Sequence, residues 1–383
     1  MSTLYNERFR AYFFQAFALV AVIALFVALG HNAAVKLEQN GIASGFGFLN
    51  DTAGYQISMA LMDYSASDTH WDAYLVGLLN TLLIAVLTII SATLVGLVVA
   101  LGRLSSNWVL SRLCYCFLEY FRNVPILVHL FIIYGIVLIL PTVRKGWTLF
   151  DTFYLSNRGF VMPKPGMESG FSFVILAFIA GIALAYLFAR RSKQIFNREG
   201  KRTAFLSFKL LGLALLPAAV VFFALGAPLS WSTPVLKGFN LRGGLTLSPE
   251  FCALWLAGTI YFGAHISEVI RSGILAISRG QSEASIALGV SPMRTMMQII
   301  LPQAMRIIVP PMANYYVNIT KNSALGIAIG YPDLMATTGG TSLNLTGQAI
   351  ECLVMVMATY CVFNLCTAFL MNFYNKQVSL VRN

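Results

Sequence analysis

Residues 76–101, VGLLNTLLIAVLTIISATLVGLVVAL, carry no Asp, Glu, Lys or Arg. Crossing roughly 30 Å of hydrocarbon takes about 20 apolar residues in a helix, and this run is long enough. It closes at Gly102-Arg103-Leu104-Ser105, a helix stop that includes a basic residue. Further apolar runs lie near 11–29, 113–140, 171–189, 205–225, 250–270, 307–329 and 347–373. The composition agrees: 58% of the 383 residues are hydrophobic and 11% are charged, whereas soluble domains carry about 25% charged residues. The expected fold is an all-α integral membrane protein of about eight transmembrane helices.

The first run follows Arg8 and Arg10. It exceeds the roughly 7–15 apolar residues of a signal-peptide core, and more spans follow. It therefore reads as an uncleaved span, although Ala28-Leu29-Gly30 resembles a cleavage site. Residues 31–75, with Glu38, Asp51, Asp63, Asp68 and Asp72, read as a compact non-cytoplasmic loop.

The net charge of +11 is distributed unevenly. With both termini cytoplasmic, the inner segments hold Arg8, Arg10, Arg103, Arg112, Arg271, Arg279, Arg294, Arg306, Lys376 and Arg382. They also hold a cluster at 190–202: Arg190, Arg191, Lys193, Arg198, Lys201 and Arg202. The outer loops hold fewer, chiefly Lys36, Arg144, Lys145, Arg158, Lys164, Lys237 and Arg242. This is the positive-inside bias of a membrane protein, and it removes the need for a nucleic-acid partner. The 190–202 cluster reads first as a topology determinant and second as a lipid-headgroup contact. The six cysteines lie in or beside apolar runs, and Cys114-x-Cys116 lacks the second Cys or His pair of a metal site. They read as small hydrophobes.

Residues 272–306 lie between two spans on the cytoplasmic side, yet they are not loop-like. Residues 280–289, GQSEASIALG, read as a short helix closed by Gly289. Ser291 and Pro292 restart a helix as N-cap and first-turn residue. That helix holds Met293, Met296, Met297, Ile299 and Ile300 before Pro302 is expected to interrupt it. Two short helices at a Gly–Pro elbow make a rigid cytoplasmic protrusion that a motor domain can grip.

The spacing Glu283-Ala284-Ser285-x-x-x-Gly289-x9-Ile299-x-Leu301-Pro302 resembles the EAA loop of ABC importer permeases. That pattern runs Glu-Ala-Ala, three residues, Gly, nine residues, Ile-x-Leu-Pro. Ser285 alone departs from it, standing where Ala is usual. The resemblance implies that Glu283, Ala284, Ser285, Gly289, Ile299, Leu301 and Pro302 couple this chain to an ATP-hydrolysing subunit.

Three other stretches resemble the polar amino-acid branch of these permeases. They are Glu119 to Val128 (EYFRNVPILV), Glu268 to Gln281 (EVIRSGILAISRGQ), and Pro310 to Leu325 with Asn314, Lys321, Ser323 and Leu325. The branch commonly has Asp-Thr-Ser after that Lys, whereas this chain has Asn322-Ser323-Ala324. The resemblance covers about 75–140 and 250–372, and the length between them is similar to the general L-amino-acid (Aap/Bzt) transporters of proteobacteria. It implies a MetI-like type I permease core with an inserted helix pair.

The expected divisions are 1–75, an N-terminal helix and periplasmic loop, and 76–140, the first part of the core. Residues 141–249 then form an insertion with two extra spans and a basic cytoplasmic loop, and 250–383 complete the core with the hairpin 272–306. The implied partners are a second homologous permease, as a heterodimer, two copies of a cytoplasmic ABC ATPase, and a periplasmic amino-acid-binding protein. ATP and magnesium would reside on the ATPase, with no cofactor on this chain. No glycine loop ending in Gly-Lys-Ser or Gly-Lys-Thr is present.

Polar residues within spans default to functional hypotheses. Asn314, Asn318, Lys321, Asn322 and Leu325 share one helical face, with Ser323 beside them. Tyr261, His265, Glu268 and Ser272 share another. Asn314, Asn318, Lys321, Asn322, Ser323, His265 and Glu268 are therefore translocation-pathway candidates. Lys321 has two open readings, contact with a substrate carboxylate and structural pairing with the Glu268 face. His129 and His265 permit a proton-relay reading, and with it a proton-coupled secondary transporter as the alternative function, but lone helical histidines are more often hydrogen-bonded core residues. No nucleophile–base pair supports a membrane-embedded enzyme.

Overall fold

Helices account for most of the computed structural model, which describes residues 7–39, 44–199, 206–238 and 240–379. In chain order they are α1 (Glu7–Gln39), α2 (His70–Leu104), α3 (Trp108–Asn123), α4 (Ile126–Leu138), α5 (Phe171–Glu199), α6 (Leu206–Ala224) and α7 (Pro249–Leu275). There follow α8 (Arg279–Ala287), α9 (Pro292–Thr295), α10 (Leu301–Asn322), α11 (Leu334–Ala336), α12 (Leu343–Thr346) and α13 (Ala349–Ser379). The chain divides into two compact units, one of Met1–Leu138 with Ser248–Asn383, the other of Ile139–Leu247.

Fewer helices meet the length and apolarity of a span than the eight expected. Among the described residues five helices are long and apolar enough to cross a membrane: Tyr12–Asn32, His70–Leu104, Phe171–Phe196, Pro249–Leu275 and Ala349–Asn375. A sixth is reached if the bent pair α3–α4 counts as one. Each departure from eight has a local cause. The run at 113–140 bends by 107° between α3 and α4, because the ring of Pro125 pushes Val124 out of the helical region to φ −103°, ψ 131°. In α6 the apolar part is the shorter helix Phe208–Ala224. In α10 the amides and Lys321 that mark its polar face also lower its hydropathy.

In the first unit α2 packs along α7 through small residues that bring the backbones close. A Cβ on Gly96 would lie 2.6 Å from Ile266, and one on Gly263 2.8 Å from Val95. Polar side chains bridge the same seam: Ser91 Oγ lies 2.6 Å from Thr259 Oγ1 and accepts from the Trp255 indole N–H at 3.1 Å. α10 joins this core with Ala304, Ile308, Met312 and Ile319, which meet Phe262, Ile266, Ile270 and Ile274 of α7.

The connection from α10 to α13 is irregular and held by buried polar groups. It starts as a 3-10 turn at Ser323–Ile329 and reverses at Gly330, with φ 82°. Asn80 of α2, fully buried, donates from Nδ2 to the carbonyls of Met59 at 2.8 Å and Pro332 at 2.9 Å. The Asn80 backbone carbonyl accepts from Tyr331 OH at 3.0 Å, and the neighbouring Thr81 hydroxyl accepts from the Leu334 N–H at 3.0 Å. These bonds satisfy backbone groups that have no regular ladder to join.

Asp333, also fully buried, caps α11 through the Ala336 N–H at 2.8 Å and accepts from Tyr360 OH at 3.1 Å. Burial pushes its carboxyl up to about 7, and the hydrogen bonds that lower it do not cancel this. The folded protein thus holds a proton that the unfolded chain releases between the ordinary 3.8 and about 7. Stability is lost as pH rises through that window. The thermal midpoint of the purified complex is expected to fall between about pH 4 and pH 7 and to level off above it, with Asp333→Asn removing the fall. A flat wild-type profile contradicts this.

The second unit pairs α5 with α6 at Gly181, where a Cβ would sit 2.6 Å from the Ala214 carbonyl. The segments flanking this pair are rich in Pro and Gly. They carry short strands: β1 (Trp147–Leu149), β2 (Phe153–Ser156), β3 (Gly159–Met162), β4 (Lys164–Met167), β5 (Leu229–Ser232), β6 (Val235–Lys237), β7 (Asn240–Arg242) and β8 (Leu245–Leu247). They form an antiparallel sheet in the order β1-β2-β3-β8 and two ribbons, β4–β5 and β6–β7. Strands of three or four residues are too brief to show a period of two. The β1–β2 turn also uses Phe150 and Asp151 at φ 54° and 51°, without an Asn-Gly or Asp-Gly signature. Of the basic cluster, Arg190, Arg191 and Arg198 lie toward the end of α5. Lys201 and Arg202, like Arg382, lie outside the described residues.

Candidate coupling hairpin and transport face

The hairpin begins as expected. α8 ends in a Schellman turn, with the Gly289 N–H on the Ile286 carbonyl at 2.9 Å and the Val290 N–H on the Ser285 carbonyl at 3.0 Å. Gly289 takes φ 73°, the left-handed conformation that the turn demands. Ser291 then occupies the N-cap position with Pro292 at the first turn, but its side chain makes no cap.

Pro302 does not interrupt the second limb. α9 passes into a π-turn at Met296–Ile300 and directly into α10. The wider turn, with the Leu301 N–H on the Met296 carbonyl, gives the proline ring room and makes its missing N–H tolerable. The second limb is therefore the end of a long helix, not a separate short one. That same helix carries Asn314, Asn318 and Lys321.

The motif residues divide by exposure. Glu283, Ala284 and Pro302 are exposed, Ile299 and Leu301 half-buried, and Ser285 buried. Around Glu283 the elbow exposes large apolar side chains: Ile286 at 65%, Leu288 at 81%, Met293 at 68% and Met297 at 57%. An apolar tip on a stiff stalk, away from the apolar spans, has the form of a docking knob.

The pathway candidates do not gather at one place. Asn314 and Lys321 line an open cleft of about 750 Å³ with Met335, Val356, Tyr360 and Asn364. Asn318 is exposed nearby on the same helix, and its carbonyl accepts from Asn322 Nδ2 at 2.8 Å. Asn322 and Ser323 instead border a gap of about 20 Å³ against Ile84, Leu254 and Phe262, too small for a solute. Ser323 is buried and donates to the Thr320 carbonyl at 2.7 Å. The expected face splits because the α-helix ends at Asn322 and a tighter turn follows.

On α7, Glu268 accepts from Arg271 at 2.6 Å through Nη2 and at 3.0 Å through Nε. This bidentate pair occupies the carboxylate that a structural pairing of Lys321 with the Glu268 face would need. His265 contacts the Tyr261 carbonyl through Nδ1 at 3.0 Å, and its ring packs on Tyr261 at 4.6 Å and Tyr315 at 5.7 Å. His129 is buried among Tyr120, Phe121 and Tyr261. These aromatic contacts, drawn from several helices, have no signature in local spacing. Neither does the role of Tyr360, which faces both Asp333 and the larger cleft.

The family model of binding-protein-dependent transport system inner membrane components matches residues 92–380. The chain belongs to this family. The permease is 43% identical to the putative amino-acid ABC transporter permease protein YhdX of Escherichia coli, over 98% of its own length and 96% of the relative's. It is 40% identical to the general L-amino acid transport system permease protein AapQ of Rhizobium johnstonii, over 99% and 95%. It is 37% identical to the glutamate/glutamine/aspartate/asparagine transport system permease protein BztB of Rhodobacter capsulatus, over 98% and 95%. This coverage takes in Ile139–Leu247, which the motifs alone left outside the core. Among solved structures, an amino acid ABC transporter with histidines aligns at a TM-score of 0.47 and 19% identity, over 80% of this chain and 95% of that one. The permease is thus the membrane component of an ABC transport system, a transport subunit and not the enzyme of its complex.

Proposed function

We propose that this permease carries polar L-amino acids of the general class into the bacterial cytoplasm, as one half of a heterodimeric channel. Two copies of a cytoplasmic ATPase bind ATP and magnesium and grip the 272–306 hairpins, while a periplasmic amino-acid-binding protein delivers substrate. Both termini lie in the cytoplasm, in keeping with the distribution of Lys and Arg. ATP-driven closure of the motor moves the hairpins and turns the cavity between the paired permeases outward.

The observation that carries this reading is the exposed apolar tip, formed by Ile286 and Leu288 at the end of α8 and by Met293 and Met297 on the limb continuous with α10. Movement of the tip is felt along the helix that presents Asn314 and Lys321 to the larger cleft. The names of the relatives supply the substrate class. Leu288→Cys, introduced at the tip, is expected to cross-link to a co-purifying ATPase, with the yield changing when ATP is added. A tip cysteine that labels freely with soluble maleimide in the assembled complex, and never cross-links, overturns the docking assignment.

A further inference from the structure

Ser285 is the single position at which the hairpin departs from the motif it otherwise follows, and it is one of the most buried residues there, at 2% exposure. Its neighbour on the opposite limb is Thr295, 4% exposed. The Thr295 hydroxyl donates to Ser285 Oγ at 3.0 Å, with the Ser291 carbonyl as its second acceptor at 3.2 Å. The pair joins α8 to α9 across the elbow. Thr295 is also the last residue before the π-turn at Met296–Ile300.

Beyond that turn lies a second link between the limbs. Gln303 Nε2 reaches Gln281 Oε1 of α8 at 3.4 Å and the Ile299 carbonyl at 2.9 Å. α8 is therefore tied to the long helix on both sides of the one place where its pitch changes. Of the two links the hydroxyl pair is buried and short, and the amide pair is exposed and long.

We propose that Ser285 and Thr295 are positioning residues of the coupling step: their buried hydroxyl pair fixes α8 to the start of the helix that continues into α10, so that a push on α8 is delivered along α10 instead of being absorbed at the elbow. This rests on the reading of the hairpin as the ATPase contact. An alanine at 285 keeps the contact area but lets the limbs rotate about each other, whereas a hydrogen bond is directional. The Thr295 hydroxyl keeps the Ser291 carbonyl when Ser285 is lost, so Ser285→Ala leaves no buried group stranded and the fold intact.

The test uses the complete complex in proteoliposomes, with uptake of a labelled amino acid and ATP hydrolysis measured together. Ser285→Ala and Thr295→Val are each expected to lower uptake per ATP hydrolysed about fivefold, the weight of one buried hydrogen bond, with the KM for ATP unchanged. The double variant is expected to be no worse than the poorer single one, and Ser285→Thr to restore coupling. Wild-type uptake per ATP in Ser285→Ala, or losses that multiply in the double variant, overturn the proposal. A wild-type complex whose ATPase ignores loaded binding protein overturns the importer reading itself, which keeps the two failures distinct.

Discussion

Gly289→Val is expected to reduce ATP-driven uptake to below about a tenth of wild type while the chain still accumulates in the membrane. Gly289 sits at φ 73° with open space around the position a Cβ would take, so the substitution meets no steric wall. Its cost is in the backbone, where a β-branched residue in the left-handed region is a genuine outlier. The penalty of roughly 1–2 kcal/mol is small for a protein of this size but concentrated in a single turn. The chain escapes by opening the Schellman bonds at Ile286 and Ser285, which reorients Leu288 and Ile286 at the exposed tip. Asn adopts this conformation more readily, so Gly289→Asn is expected to keep a large part of the activity. Uptake in membrane vesicles, normalised to the amount of chain, checks both. Wild-type uptake in the valine variant contradicts a coupling role for the elbow.

The second large effect is on stability. Asn80→Leu removes the amide that serves the Met59 and Pro332 carbonyls and strands both in a fully buried site. An unsatisfied buried group costs about 1–3 kcal/mol, so the loss is about 2–6 kcal/mol and the thermal midpoint of the purified complex falls by about 5–10 °C. The leucine is more apolar than the asparagine it replaces, and a span valued by hydropathy alone is improved by the change. An unchanged midpoint contradicts the view that polar bonds, and not apolar burial, hold the α10–α13 connection to α2.

That contrast shows where the sequence is legible. The span of α2 follows from an uncharged run, and the Gly289 turn and the Ser291-Pro292 restart from local stereochemistry, because each signal lies within a few residues of its effect. Asn80 is visible as a polar residue in that run, but its partners are Met59 and Pro332, one of them far along the chain. Pro125 announced the α3–α4 break through the residue before it, yet the long apolar run around it read as one span. Pro302 carried the same signal and the opposite outcome, because a π-turn absorbed it. Arg271, three residues after Glu268, was the nearer partner and took the carboxylate from Lys321 by proximity. The Ser285–Thr295 bond needs the hairpin to close before the two residues meet. Of the short strands of Ile139–Leu247, β3–β8 and β4–β5 pair across the intervening helices, and all are too brief to show a local period.

The central claim is that this chain is the transport subunit of an ATP-driven importer, and one reconstitution tests it most directly. Proteoliposomes holding the permease with its co-purifying subunits receive a labelled L-amino acid and its binding protein outside, with ATP and magnesium at the motor face. Accumulation is expected only when ATP, magnesium and binding protein are all present, and it is expected to be indifferent to an imposed proton gradient. Accumulation driven by a proton gradient without ATP contradicts the claim.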